Sequence, residues 1–235
     1  MSVSKRHHYT PRYYLKRFQN DQGAMWRFDI DSKTYTRGNN AHFGYEKHWN
    51  TLENPSEQYE PDWAERRLSE VDGPASKIVA QILAGDFPKD IQALACAISF
   101  MKNNQPRLKR YLEQNNVEDV GDWSDDHWLL ARVKASLDDW RTYLPYHYSV
   151  QVIDENDQVS RFLTSSNPLI EMENQPTKLL PFSNRHCLFM SFDPQLIGCS
   201  PSAITCNGEI VAGINHLTIK NSWQYVYSNT PDFDA

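Results

Sequence analysis

The sequence predicts an α+β fold in which a helical middle segment rests on a mostly antiparallel C-terminal sheet. Three observations carry this. Apolar and polar residues alternate near the start, apolar stripes recur at helical spacing between residues 61 and 145, and strand-like runs divided by polar turns follow Pro145. No alternating βαβ pattern occurs, so a doubly wound parallel sheet is not expected. The expected organisation is one domain over 1–235: an extended or hairpin opening at 1–60, helices over 61–145, and a mostly β remainder over 146–235.

The individual elements follow from local patterns. AMWRFDIDSKTYTRG alternates around a D-S-K turn and predicts a small hairpin. A polar, aromatic loop runs to Pro61. PDWAERRLSEVDG places Pro61 and Asp62 in cap-like positions, with Trp63, Leu68 and Val71 near helical spacing. Gly73-Pro74 is expected to interrupt this helix, which restarts in ASKIVAQILAG and stops at Gly85. Between Lys89 and Asn115, Ile91, Leu94, Ala95, Ile98 and Met101 make a helical stripe, with Pro106 expected to end or kink it near Gln105. Ser124 reads as the N-cap of a third helix bearing Trp128, Leu129, Val133, Leu137 and Trp140. YHYSVQVIDENDQVSRFLTS predicts two strands, TKLLPF and HCLFMSF two more, and INHLTIKNSWQYVYS fits either helix or strand.

Composition narrows the function classes. A chain of 235 residues can bury a core without disulfide or metal support. Cys96, Cys187, Cys199 and Cys206 form no C-x-x-C pair and read as buried structural thiols in a reducing compartment. The opening residues hold no apolar export segment, and no run of ~18 apolar residues occurs, so a cytoplasmic protein without a membrane partner is expected. A net charge of -6 argues against coating nucleic acid by bulk electrostatics, because counterion release needs many phosphate-facing cations. The charge is uneven. Lys5, Arg6, Arg12, Lys16 and Arg17 gather at the start, Arg107, Lys109 and Arg110 form a second cluster, and acid concentrates over 53–72 and 118–126. One basic face on an acidic protein fits this pattern, and ordinary solvated helix faces fit it equally.

RHHYTPRYYLKRF, residues 6–18, is the densest stretch of chemistry. His8 fits a general acid or base, and Arg12 an anion-holding fork. Tyr9 and Tyr14 fit stacking on a base or hydrogen bonding through their hydroxyls. The alternative is anchoring: Tyr9, Leu15 and Phe18 pin the terminus, Pro11 stiffens it, and His8 caps a backbone group. In TSSNP, Asn167 before Pro168 follows a strand, where its amide either reads a base edge and orients water or closes an Asx-turn. Asn215, next to His216, offers a second amide, whose alternative reading is the cap of the final helix.

These segments also carry a family resemblance. His8, Tyr9, Pro11, Arg12, Tyr14, Leu15 and Phe18 match H-Y-x-P-R-x-Y-L-x-x-F, the opening motif of the bacterial domain-of-unknown-function family four-two-three-eight. Thr164, Ser165, Asn167 and Pro168 match its T-S-D-N-P, with Ser166 standing where Asp is usual. Asn215, Ser222 and Tyr225-Val226-Tyr227-Ser228 resemble its closing motif, and Arg107 falls in NNQPRLKR where the family has Q-x-x-R-x-P. The resemblance implies a shared fold, a bacterial source and a setting among mobile elements. It further implies a cleft joining His8, Arg12, Asn167 and Asn215, with His8, Asn167 and Asn215 as catalytic residues and Tyr9, Arg12, Tyr14 and Arg107 as substrate-binding ones.

No G-x-S-x-G, Walker A or G-x-G-x-x-G occurs, which counts against the usual α/β serine hydrolases, P-loop NTPases and Rossmann oxidoreductases. The i, i+4, i+6 spacing of His42, Glu46 and His48 does not set three ligands on one helix face. The resemblance, with its mobile-element setting, implies an enzyme of defence against phage acting on DNA; within that class the residues favour a metal-independent and cofactor-free glycosylase that excises a base, with modified phage DNA as partner. Two alternatives stand beside it: a metal-dependent nuclease using Asp29, Asp31, His42, Glu46 and His48, and a non-catalytic binding or sensing module.

Overall fold

The computed structural model describes residues 6–56, 58–87, 91–106, 108–115, 123–172, 175–196 and 202–233; Arg107 and Cys199 lie outside them. The chain begins with β1 (Arg6–His8) and the one-turn helix α1 (Arg12–Leu15). The predicted hairpin forms as β2 (Met25–Asp29) and β3 (Thr34–Gly38), and β4 (Tyr45–Lys47) returns to pair antiparallel with β1. Gly44 makes that return possible. Its φ of +69° favours glycine, its carbonyl accepts from Tyr9 and Thr10, and a Cβ there would fall 2.7 Å from Leu15 Cδ1.

The helical middle comprises α2 (Trp63–Leu83), α3 (Gln92–Asn103), α4 (Leu108–Gln114) and α5 (Asp125–Asp138), with α3 lying between α2 and α5. Ser124 caps α5 as expected, its Oγ accepting from His127 N at 3.2 Å. One expectation is corrected: α2 runs unbroken through Gly73-Pro74. Both residues face solvent, while Leu68, Ala75, Ile78, Val79 and Ile82 form one continuous buried face. Burial of that face on both sides of Pro74 outweighs the single backbone bond a proline removes.

The remainder builds two sheets. β5 (His147–Ile153), β7 (Ile170–Glu171), β8 (Thr177–Ser183), β9 (His186–Ser191) and β10 (Ser202–Cys206) form one, in the order β10-β5-β9-β8-β7. Its pairs are antiparallel except β10 with β5. The other, in the order β3-β2-β11-β6, joins the opening hairpin to β6 (Thr164–Ser165) and β11 (Tyr225–Ser228). The ambiguous tail is both things in turn: α6 (Gly208–Asn221), then β11. Tyr14, Leu15 and Phe18 are fully buried in a core shared by the helices and the larger sheet. Tyr14 Oη donates to Pro181 O at 2.5 Å and lies 2.7 Å from Thr164 Oγ1, so the opening segment is pinned to strands of both sheets.

Candidate functional site

Along α2, Glu65, Ser69, Asp72 and Ser76 recur at i, i+4, i+7 and i+11, a spacing that sets all four on one face. That face closes a cleft of about 410 Å³, within the usual range of ligand sites. β1 contributes His8, the first turn of α1 contributes Arg12 and Tyr13, and the loop after β4 contributes Asn50. Leu68 and Phe100, both buried, also line it.

Three side-chain atoms here are enclosed and have no hydrogen-bond partner among the described residues: His8 Nε2, Tyr13 Oη and Asp72 Oδ1. Each such atom costs about 1–3 kcal/mol, and folded proteins pair nearly all of them. Three around one cavity mark a place where water or a ligand completes the bonding.

The electrostatics differ from wall to wall. Burial lowers the His8 pKa to about 4, assisted by the charges of Arg12, His7 and Arg6, so the ring is neutral at pH 7. Burial pushes Asp72 the other way, up to about 6, assisted by the negative charge of Glu65. Burial also raises the Tyr13 phenol far above its ordinary range, with Asp72 adding to the effect. Arg12 is exposed at the rim. The cleft thus joins a carboxyl that titrates near neutrality, a neutral imidazole, a phenol that stays protonated and a cation, a set suited to moving protons on an anionic molecule.

A buried network stiffens these walls. Arg132 is 2 % exposed and lies with its guanidinium 4.1 Å from the centre of the Trp49 ring. It donates to Asn104 Oδ1, to the Trp49 carbonyl and, at 2.9 Å, to Asn50 Oδ1. Asn104 Nδ2 reaches the His8 carbonyl at 3.4 Å, and Asn50 Nδ2 donates to Glu65 Oε2 at 2.6 Å. One guanidinium therefore braces both the strand that presents His8 and the helix that presents Asp72. Burial lowers its pKa to about 9 while Glu46 and Glu65 oppose the shift, and it remains charged at neutral pH.

Of the residues singled out from the sequence, His8 and Arg12 meet in this cleft. Tyr14 is fully buried and fully bonded as an anchor. Tyr9 is 4 % exposed and has its phenol pushed up to about 12 by burial. Asn167 and Asn215 line two other cavities. Asn167 Nδ2 donates to Asn221 O at 3.2 Å, and Asn221 Nδ2 answers to Asn167 O and Leu169 O. Asn215 sits in the middle of α6, whose cap is Asn207, not Asn215. Its Oδ1 accepts from Leu163 N at 2.9 Å and its Nδ2 donates to Arg161 O at 2.8 Å. Ser166 Oγ accepts from the backbone N–H groups of Gln224 and Tyr225.

Among the described residues no group of three or more His, Cys, Asp or Glu side chains is placed to hold a metal. Asp29 closes the β2–β3 turn by accepting from Asp31 N and Ser32 N, and Glu46 belongs to β4. No helix among them is long and apolar enough to cross a membrane.

A family model described as Protein of unknown function (DUF4238) matches residues 6–132. The chain belongs to DUF4238. No curated protein and no solved structure matches it. The DUF4238 match takes in every residue lining the His8–Asp72 cleft and the whole Arg132 network, and it ends before Asn167 and Asn215. The residues that sequence reasoning missed, Tyr13, Glu65 and Asp72, lie inside it. The polar i, i+4, i+7, i+11 stripe of α2 was the available signal, obscured because acid over 53–72 also fits a solvated helix face.

Proposed function

We propose that the His8–Asp72 cleft is the site of a metal-independent hydrolase that excises a base from DNA by cleaving its N-glycosyl bond. The observation that carries this reading is the trio of enclosed, unpartnered atoms, His8 Nε2, Tyr13 Oη and Asp72 Oδ1, around one cavity. An extruded base needs such a pocket, with polar atoms to meet its edge. Asp72, held near a pKa of 6, supplies its proton to the departing base as the C1′–N bond breaks and the electron pair moves to nitrogen. Its carboxylate then takes a proton from the water whose oxygen bonds C1′, which restores the acid. Tyr13 Oη and neutral His8 position that water or the base edge, and Arg12 at the rim grips a phosphate through its planar fork.

The test is incubation of purified protein with modified and unmodified phage DNA, with and without EDTA, scored for released bases, abasic sites and strand breaks. Released base and abasic sites that persist under EDTA are expected, falling about a hundredfold or more in Asp72→Asn. No product on any substrate overturns the reading, and so do strand breaks that vanish with EDTA, the behaviour of a metal-dependent nuclease.

A further inference from the structure

A second constellation lies outside that cleft. The rings of Tyr111, on α4, and Trp223, in the turn between α6 and β11, stack with centroids 5.6 Å apart and planes 18° from parallel. Both rings line two open cavities at once, one of about 500 Å³ and one of about 340 Å³, and Tyr111 is 48 % exposed. Aromatic pairs in cores are covered on all sides, whereas this one borders open space on two. Each cavity also holds one cation, Arg110 in the larger and Lys102 in the smaller.

We propose that Tyr111 and Trp223 form a stacking platform for the bases of a single-stranded nucleic acid, with Arg110 and Lys102 meeting its phosphates. Bases paired in a duplex already stack on their neighbours, so an open aromatic platform selects unpaired ones. Asp31 and Glu171 also border these cavities, Glu171 being bound by Lys102 and Lys178, so the groove is not uniformly basic. Stacking is then the main source of affinity, and the salt dependence is shallow.

The platform rests on the nucleic-acid reading above and extends it by naming the form of the substrate. Phe100 lines the His8 cleft and Lys102 lines the platform's smaller cavity; two positions apart on α3, they point to nearly opposite sides of one helix. Tyr9, next in sequence to His8, shares a small space with Pro106 and Trp223. A strand with its target base in the cleft can therefore lay its neighbours on Tyr111 and Trp223 across the end of α3, a width of ~10–12 Å.

The experiment is fluorescence anisotropy with labelled oligothymidine and oligouridine of about twelve nucleotides, a length in the range of single-strand sites, and with a DNA duplex of the same length. Single strands are expected to bind more tightly than the duplex. Tyr111→Ala and Trp223→Ala each weaken that binding about tenfold, while the conservative Trp223→Phe keeps it. The deoxy and ribo arms show which sugar is preferred. Circular dichroism confirms that each variant is folded; Tyr111 is exposed, Trp223 is half-buried, and neither belongs to the apolar core clusters. Absence of single-strand binding by the wild type, equal binding of the duplex, or unchanged affinity in both alanine variants overturns the platform. Base release that fails while the platform variants lose binding sinks the hydrolase alone. Base release that survives with no dependence on Tyr111 or Trp223 sinks the platform alone.

Discussion

Asn50 donates its side-chain amide to Glu65 Oε2 at 2.6 Å, so the loop after β4 is tied directly to the helix that carries Asp72. Asn50 keeps this orientation because its Oδ1 accepts from buried Arg132, which also serves Asn104 and Trp49. Arg132→Ala strips two buried acceptors, Asn104 Oδ1 and Asn50 Oδ1, and the part-buried Trp49 carbonyl of their donor at once, and a loss of about 3–5 kcal/mol is expected in urea denaturation. Arg132→Lys, with fewer donors and no planar fork, should lie between. A loss below about 1 kcal/mol, the value of an exposed pair, would show that the network braces nothing.

Asp72 yields a prediction in stability that needs no substrate. Its pKa is raised from 3.8 to about 6 in the folded chain, so folding favours the protonated carboxyl. The resulting stabilisation is present below pH 3.8 and is lost as pH rises through 6, above which the fold holds a disfavoured anion. Asp72→Asn removes that anion while nearly keeping the shape. The variant should be more stable than wild type at pH 8, by at most about 3 kcal/mol and less to the extent that solvent screens the carboxyl. The gain should shrink as pH falls from 6 towards 4. Thermal melts at several pH values check it, and a gain independent of pH would mean that Asp72 ionises normally.

His8 acts with the opposite sign. Its pKa is depressed from 6.5 to about 4, so the fold favours the neutral ring; that stabilisation is present above pH 6.5 and is lost as pH falls towards 4. Burial is the larger cause, and the Arg12 charge adds to it. Arg12→Gln is expected to raise the His8 pKa partway towards 6.5, a shift read from the histidine ring resonances by NMR titration. An unmoved midpoint would show that solvent at the rim screens Arg12 completely.

Sequence patterns revealed what depends on neighbours in the chain. The β2–β3 hairpin, the Ser124 cap, the end of α3 before Pro106 and the burial of Tyr9, Leu15 and Phe18 as anchors all follow from local periodicity or turn chemistry, whereas Tyr14, expected to bind substrate, is itself a buried anchor. His8 and Arg12 were visible because they share one short motif. The continuity of α2 was not, since the rule for Gly73-Pro74 is local while the apolar face that overrides it is set by packing. β10 escaped notice as a short and largely exposed edge strand whose partner β5 lies about fifty residues earlier. Asp72 escaped because an acidic residue on a helix is ordinary until tertiary closure takes it out of water. The partners of the Asn167 and Asn215 amides were illegible for a related reason: they lie 54 and 52 residues away, which no spacing rule displays.

Tyr14 tests whether the opening motif anchors as well as it presents. Its hydroxyl bonds Pro181 O and Thr164 Oγ1 in a site with no exposure. Tyr14→Phe keeps the ring and leaves both partners short of a bond, with an expected cost of about 1–3 kcal/mol in denaturation. Binding of single strands should be unchanged once the protein is folded. A variant of full stability would mean that water replaces the hydroxyl, and the link to the two sheets would then rest on apolar contact alone.

Asn215 separates an amide that builds the fold from one that does chemistry. Its two bonds, from Leu163 N and to Arg161 O, tie the middle of α6 to the irregular segment just before β6, and both partners are main-chain groups. Asn215→Ala leaves a backbone donor and a backbone acceptor unpaired, so a loss of about 2–4 kcal/mol is expected. Asn215→Asp keeps the acceptor for Leu163 N but turns a carboxylate oxygen towards the Arg161 carbonyl, and should also be destabilised. Below their melting temperatures both variants should release base at the wild-type rate per folded molecule, since the amide is held by main-chain groups and lines a cavity other than the His8–Asp72 cleft. A hundredfold loss of turnover in fully folded Asn215→Ala would return this residue to the reaction and move the acid-base site away from Asp72.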